Sequence, residues 1–154
     1  MSESFADLRR RLARRHHIIG WWGLLVFLSL GIALETFHGF KSEFYLDPLH
    51  RLRRLLWTLA HAHGTLLALV NIAFALGVMH FGRWTERTLK LVSFFLIDAL
   101  LLLPAGFFLG GIEHTEVDPG SGILLVPIGA LFLLLAVGMI AWSASGAAEP
   151  SARK

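Results

Sequence analysis

The sequence predicts an all-α integral membrane protein, a four-helix bundle with both termini on the cytoplasmic side. Three observations carry this. Hydrophobic residues make up 55% of the 154 residues and charged residues only 16%, whereas soluble domains carry about 25% charge. The charges also lie outside four long apolar runs. Ile18–Leu34, Leu55–Gly82 (its histidines aside) and Gly120–Ala148 hold none, and Leu91–Ile112 holds Asp98 alone. Crossing ~30 Å of hydrocarbon at about 1.5 Å per residue takes about 20 residues, so each run is near or above the required length. Finally, Trp21, Trp22, Trp57, Trp84 and Trp142 fall near the ends of these runs, where an interfacial aromatic belt would place them. Helices are expected because lipid cannot satisfy free backbone polar groups, and the ten-residue alternation of a membrane barrel is absent.

The first element is a basic segment, residues 1–17, in which Arg9, Arg10, Arg11, Arg14 and Arg15 outnumber Glu3 and Asp7. Phe5, Leu8 and Leu12 recur at roughly helical spacing, so a short amphipathic helix lying on the membrane surface is expected. A secretory signal peptide is the competing reading. The apolar stretch that follows is longer than such a signal's core and lacks a small-x-small cleavage site, which favours a retained helix.

The four-helix domain then occupies residues 18–142. Its helices are expected at Ile18–Phe37, Leu55–Phe81, Leu89–Gly111 and Ser121–Trp142. With the N-terminus inside, the inner side receives the five tail arginines, Arg83, Arg87, Lys90, Arg153 and Lys154, and the outer side Lys41, Arg51, Arg53 and Arg54. This asymmetry puts both termini in the cytoplasm, in the cell's inner (plasma) membrane. The loop after the third span is wholly acidic, with Glu113, Glu116 and Asp118, whereas Arg51-x-Arg53-Arg54 runs against the rule and needs a reason. The remaining residues, 143–154, are rich in Ala, Ser and Gly and read as a disordered tail.

Two function classes are excluded early. There is no cysteine, which removes disulfides, thiolate metal sites, iron–sulfur clusters and cysteine nucleophiles. The basic residues sit at helix ends, where topology explains them, so a nucleic-acid partner is not expected.

Polar residues inside the spans are costly and point to function. Glu35, His38, His61, His63 and Asp98 stand out, with Asn71 as a milder case. At about 100° per residue, Gly20, Gly31, Glu35 and His38 share an arc of about 60°. The alternative is that Glu35 and His38 simply mark the outer interface. In the second span Ala60, Gly64, Ala68, Asn71 and Ala75 form a small-residue face suited to close helix contact. His61 and His63 lie about 200° apart on that helix, flanking the small face from opposite sides, so they do not readily ligate one ion together. Two structural histidines bonded across helices are the alternative reading. His80 is expected to be structural, and His16, His17 and His50 solvated. Asp98, about 10 Å into the third span, reads as a proton-path residue or a partner of Asn71 or Thr65.

The stretch His63-Gly64-Thr65-Leu66-Leu67-Ala68-Leu69-Val70-Asn71 resembles the second transmembrane helix of the catalytic subunits of heme–copper oxidases and nitric oxide reductases. The layout is similar too, with Tyr45 in the outer loop and a Pro/Gly-rich end, Pro104 to Gly111, on the third span. The resemblance implies that His63 is an axial ligand of a b-type heme, with Arg51, Arg53 and Arg54 beside its propionates. The family's copper site lies on helices absent here, so an oxidase acting alone is not implied. A second axial ligand would come from His38, or from His61 or His63 of another subunit, as in a homodimer paired across the small face or in a larger membrane complex.

Three functions are therefore expected in turn. The first is a small heme b protein for electron transfer, or an accessory subunit of a respiratory-type complex, with His63 and His61 as cofactor ligands or orienters and Arg51, Arg53 and Arg54 as anion partners. The second is metal or proton transport through Glu35, His38, His61 and His63, whose carboxylate and imidazole set suits zinc, iron or Cu(II). The third is a non-catalytic subunit whose polar residues fix helix packing. No defined nucleophile or acid–base pair marks a stand-alone enzyme.

Overall fold

The computed structural model describes residues 4–115 and 117–145, and among these it is helical with no strand. Four helices are long and apolar enough to cross a membrane: α1 (Phe5–Gly39), α3 (Arg51–His80), α4 (Glu86–Gly110) and α5 (Leu125–Ser145). A short α2 (Glu43–Leu46) and a 3-10 turn (Pro48–His50) fill the loop between α1 and α3, and a second 3-10 turn (Ser121–Leu124) leads into α5.

The expected surface helix at the N-terminus is corrected. The basic segment and the first span are one unbroken helix of 35 residues. Ser4 caps it by accepting from the Asp7 amide, no proline interrupts it, and Leu8, Leu12, His16, Gly20 and Leu24 continue one buried stripe at four-residue spacing. Its basic face is tied in as well: the Arg9 guanidinium donates to the Val78 carbonyl, one of the orphan acceptors at the C-terminal end of α3.

At its other end α1 closes with the paired bonds of a Schellman motif, Ser42 N–H to Phe37 O at 3.0 Å and Lys41 N–H to His38 O at 3.2 Å. Lys41 adopts φ 51°, a left-handed conformation usually left to glycine.

The helices form a row in chain order. α1 lies along α3, α3 along α4 and α4 along α5, while the backbones of α1 and α5 do not approach one another. Each sequential pair is antiparallel. Three apolar clusters run down the row: Leu8, Leu12, Phe74, Val78 and Leu89 at the arginine-rich end, Leu24, Leu67 and Leu100 in the middle, and Leu34, Tyr45 and Trp57 at the far end. The expected small face of the second span is buried in full, at Ala60, Gly64, Ala68, Asn71 and Ala75. On α1, Phe27 lies over Gly64, and Gly20 and Gly23 meet Ala68. That face is occupied within the chain by α1.

Two further expectations are revised. The last helix runs through Ser143 to Ser145, with Ser143 buried and its hydroxyl donating to Arg83 O at 2.9 Å; the rest of the expected disordered tail, 146–154, lies outside the described residues. Trp142 is exposed near the end of α5, but Trp21 and Trp22, though exposed, stand midway along the unbroken α1, and Trp57 is a buried pin. Its indole stacks on Phe108 at 5.2 Å and donates to the Phe108 carbonyl.

Candidate functional site

At the end away from the arginine-rich segment, α1 and α3 border an open groove of about 990 Å³. Leu28, Ile32 and Phe40 give it apolar walls, and Glu35, His38 and His61 bring three of the expected polar residues to one place, with Tyr45 and Thr58 beside them. Glu35 and His38 are exposed, whereas His61 is half-buried.

His61 is seated by α1. Its ring lies where a side chain at position 31 would be, so Gly31 is required by shape. Its Nδ1–H donates to the Phe27 carbonyl at 2.7 Å. Because a carbonyl only accepts, this bond fixes the tautomer and leaves Nε2 as the nitrogen with a free lone pair.

His63 is not brought to this groove. It sits on the α4 side of α3, its ring 5.0 Å from that of Phe107, with Nδ1–H donating to Leu59 O at 2.9 Å. The separation expected from helix geometry is thus realised. Nearby, the Thr65 hydroxyl is buried with no partner among the described residues.

The arginine cluster acquires its reason from the loop. Arg54 donates to the carbonyls of Tyr45 at 2.8 Å and Asp47 at 3.2 Å, closing α2 and its turn onto α3. Arg53 donates to Gly111 O at 3.1 Å and lies 4.5 Å from the Phe44 ring centroid, tying the two loops of this end together. Arg51 is exposed. Arg53 and Arg54 therefore serve the fold first.

Nor is His50 solvated, as its place in the sequence suggested. It is half-buried, its ring 5.3 Å from that of His114. Burial first, and then the positive Arg53 and the neighbouring His50, hold His114 below the ordinary histidine value of 6.5.

The largest departure lies at the opposite end. His16 is completely buried rather than solvated. Its Nδ1–H donates to Asn71 Oδ1 at 2.6 Å, and its Nε2 accepts from the Ser93 hydroxyl at 2.9 Å. The Asn71 amide is oriented in turn by donating to Leu67 O at 2.8 Å. This chain joins α1, α3 and α4 with every side-chain partner satisfied. Its order of hydroxyl, imidazole and amide matches that of a nucleophile, base and orienter. Ser93 is only 2% exposed, however, and it sits inside a helix whose amides bond along α4, which leaves no oxyanion donors. The network is a packing device. It also removes Asn71 as a partner for Asp98, which instead lines a groove with Arg11, Arg15 and Lys90.

Among the described residues, no group of three His, Asp or Glu side chains is placed to hold a bare metal ion. Comparison with protein-family models, curated proteins and solved structures finds no match.

Proposed function

We propose that this chain is a multi-pass protein of the cell's inner membrane, both termini cytoplasmic, that holds an amphipathic cofactor in the groove between α1 and α3. A b-type heme is the first choice, serving electron transfer or an accessory role in a respiratory-type complex. The observation that carries the reading is His61, an imidazole fixed through Nδ1, with Nε2 free, at the wall of a groove of about 990 Å³. That volume is at the upper end of small-molecule sites, which span roughly 300–1,000 Å³. A bare ion would need several protein ligands, and the described residues gather no such set. A porphyrin brings four nitrogens of its own and asks for one or two imidazoles. His61 rather than His63 would therefore hold such a group, with His38, which lines the same groove, as a further ligand. A bound heme would supply one-electron exchange; the Phe27 carbonyl fixes the His61 ring that would hold it, and Leu28 and Ile32 would line its apolar side.

The test is the absorption spectrum of protein purified from heme-replete cells. A Soret band should be present, weaken strongly in His61→Ala and survive in His63→Ala. A colourless protein would overturn the reading.

A second reading has its own support. His16, His61, Arg53 and Arg54 all bond across elements, which is what a non-catalytic packing subunit would show. It expects His61→Ala to lower stability with no spectral signature to lose.

A further inference from the structure

At the arginine-rich end a cavity of about 440 Å³ opens between α1 and α4. Its rim carries Arg11 and Arg15, one helical turn apart on α1, and Lys90 on α4; Phe94 and Ile97 continue it along the helices, and Asp98 closes its deep end. Arg11 and Arg15 also line a second groove of about 550 Å³ on the other flank of α1, together with Arg10, Arg14, Ile18 and Ile19. Basic side chains thus border apolar ones in grooves on two flanks of one helix.

We propose that the α1–α4 cavity binds one anionic glycerophospholipid, phosphate at the rim and an acyl chain along Phe94 and Ile97. Charge and shape both select this occupant. Guanidinium groups match phosphate oxygens with paired hydrogen bonds, and basic pockets between membrane helices suit anionic headgroups. Lys90 is shared with Glu86, at 2.5 Å, so Arg15 carries most of the attraction. Lys90 and Asp98 are eight residues apart, about 12 Å along the helix axis. Asp98 therefore repels a phosphate from the deep end and keeps it at the rim, while the apolar walls between the two levels accept the chain. A free phosphate would use the rim alone and gain nothing from Phe94 or Ile97. The proposal rests on the membrane reading and is independent of the cofactor groove.

The experiment is native mass spectrometry of the intact protein in mild detergent, titrated with phosphatidylglycerol or phosphatidylcholine. One phosphatidylglycerol should be retained in preference to phosphatidylcholine. R15Q and K90Q should weaken that retention, by up to about five-fold for each charge removed, and D98N should strengthen it. R10Q/R14Q removes the same charge from the neighbouring groove and should change it by less than about two-fold. Equal retention of the two lipids, equal losses in both sets of arginine and lysine variants, or displacement of the lipid by inorganic phosphate would each overturn the proposal. Thermal melting of each variant identifies any that fail to fold, and D98N, expected to gain affinity, cannot be mimicked by misfolding. Protein that does not partition into membranes at all would overturn the membrane reading instead.

Discussion

At the scale of single residues, the strongest expectation concerns His16. Removing one member of a buried, fully bonded network leaves its partners unsatisfied, at about 1–3 kcal/mol each. His16→Ala and Asn71→Ala should each lower unfolding stability in detergent by about that amount, and together by less than their sum. Additive losses in a double-mutant cycle would show that the two side chains do not act as one unit. His114 gives a pH dependence. The folded state holds His114 below its ordinary value, so the unfolded chain binds the proton more readily. Its contribution to stability is therefore complete above about pH 6.5 and is lost as pH falls through the lower folded value. Melting temperature should decline on acidification, and His114→Gln should remove part of that decline. The difference between His16 and its sequence neighbourhood is instructive. Arg14, Arg15 and His17 made it look solvated, yet its four-residue spacing from Leu12 and Gly20 placed it on the buried stripe. The periodicity held the signal, and local charge masked it.

At the scale of elements, the contact between α1 and α3 depends on glycines that receive side chains from the opposite helix. A larger residue at 31 meets the His61 ring. Gly31→Val should therefore destabilise the pair by about 1–3 kcal/mol, and His61→Ala in the same chain should recover part of the loss. No recovery in thermal melting would place the damage elsewhere. This interface was largely legible beforehand, because the small-residue face of α3 repeats at helical spacing. The role of Arg53 and Arg54 was not. It depends on how residues 43–50 fold back over α3, and a turn built on backbone carbonyls leaves little trace in side-chain pattern. His61 lay between these cases: helix geometry separated it from His63, but its seat on Gly31 and Phe27 became visible only with both helices in place.

At the scale of the whole molecule, charge distribution carried the four long helices and the orientation proposed for them. The absence of cysteine makes that orientation directly testable. Single cysteines placed by Ser42→Cys and Val117→Cys should react with an impermeant thiol reagent on intact cells, and Phe81→Cys only after permeabilisation. The reverse pattern would invert the topology. The row arrangement was not legible, since apolar spans of similar length specify no neighbour order. It nevertheless bears on assembly during synthesis. Every major interface joins helices consecutive in the chain, so α3 can settle on α1, α4 on α3 and α5 on α4 as each leaves the ribosome. The exception is the smaller contact of α1 with α4, which includes the reach of His16 to Ser93 and waits for α4. That contact makes the arrival of the third long helix the moment at which the first becomes locked.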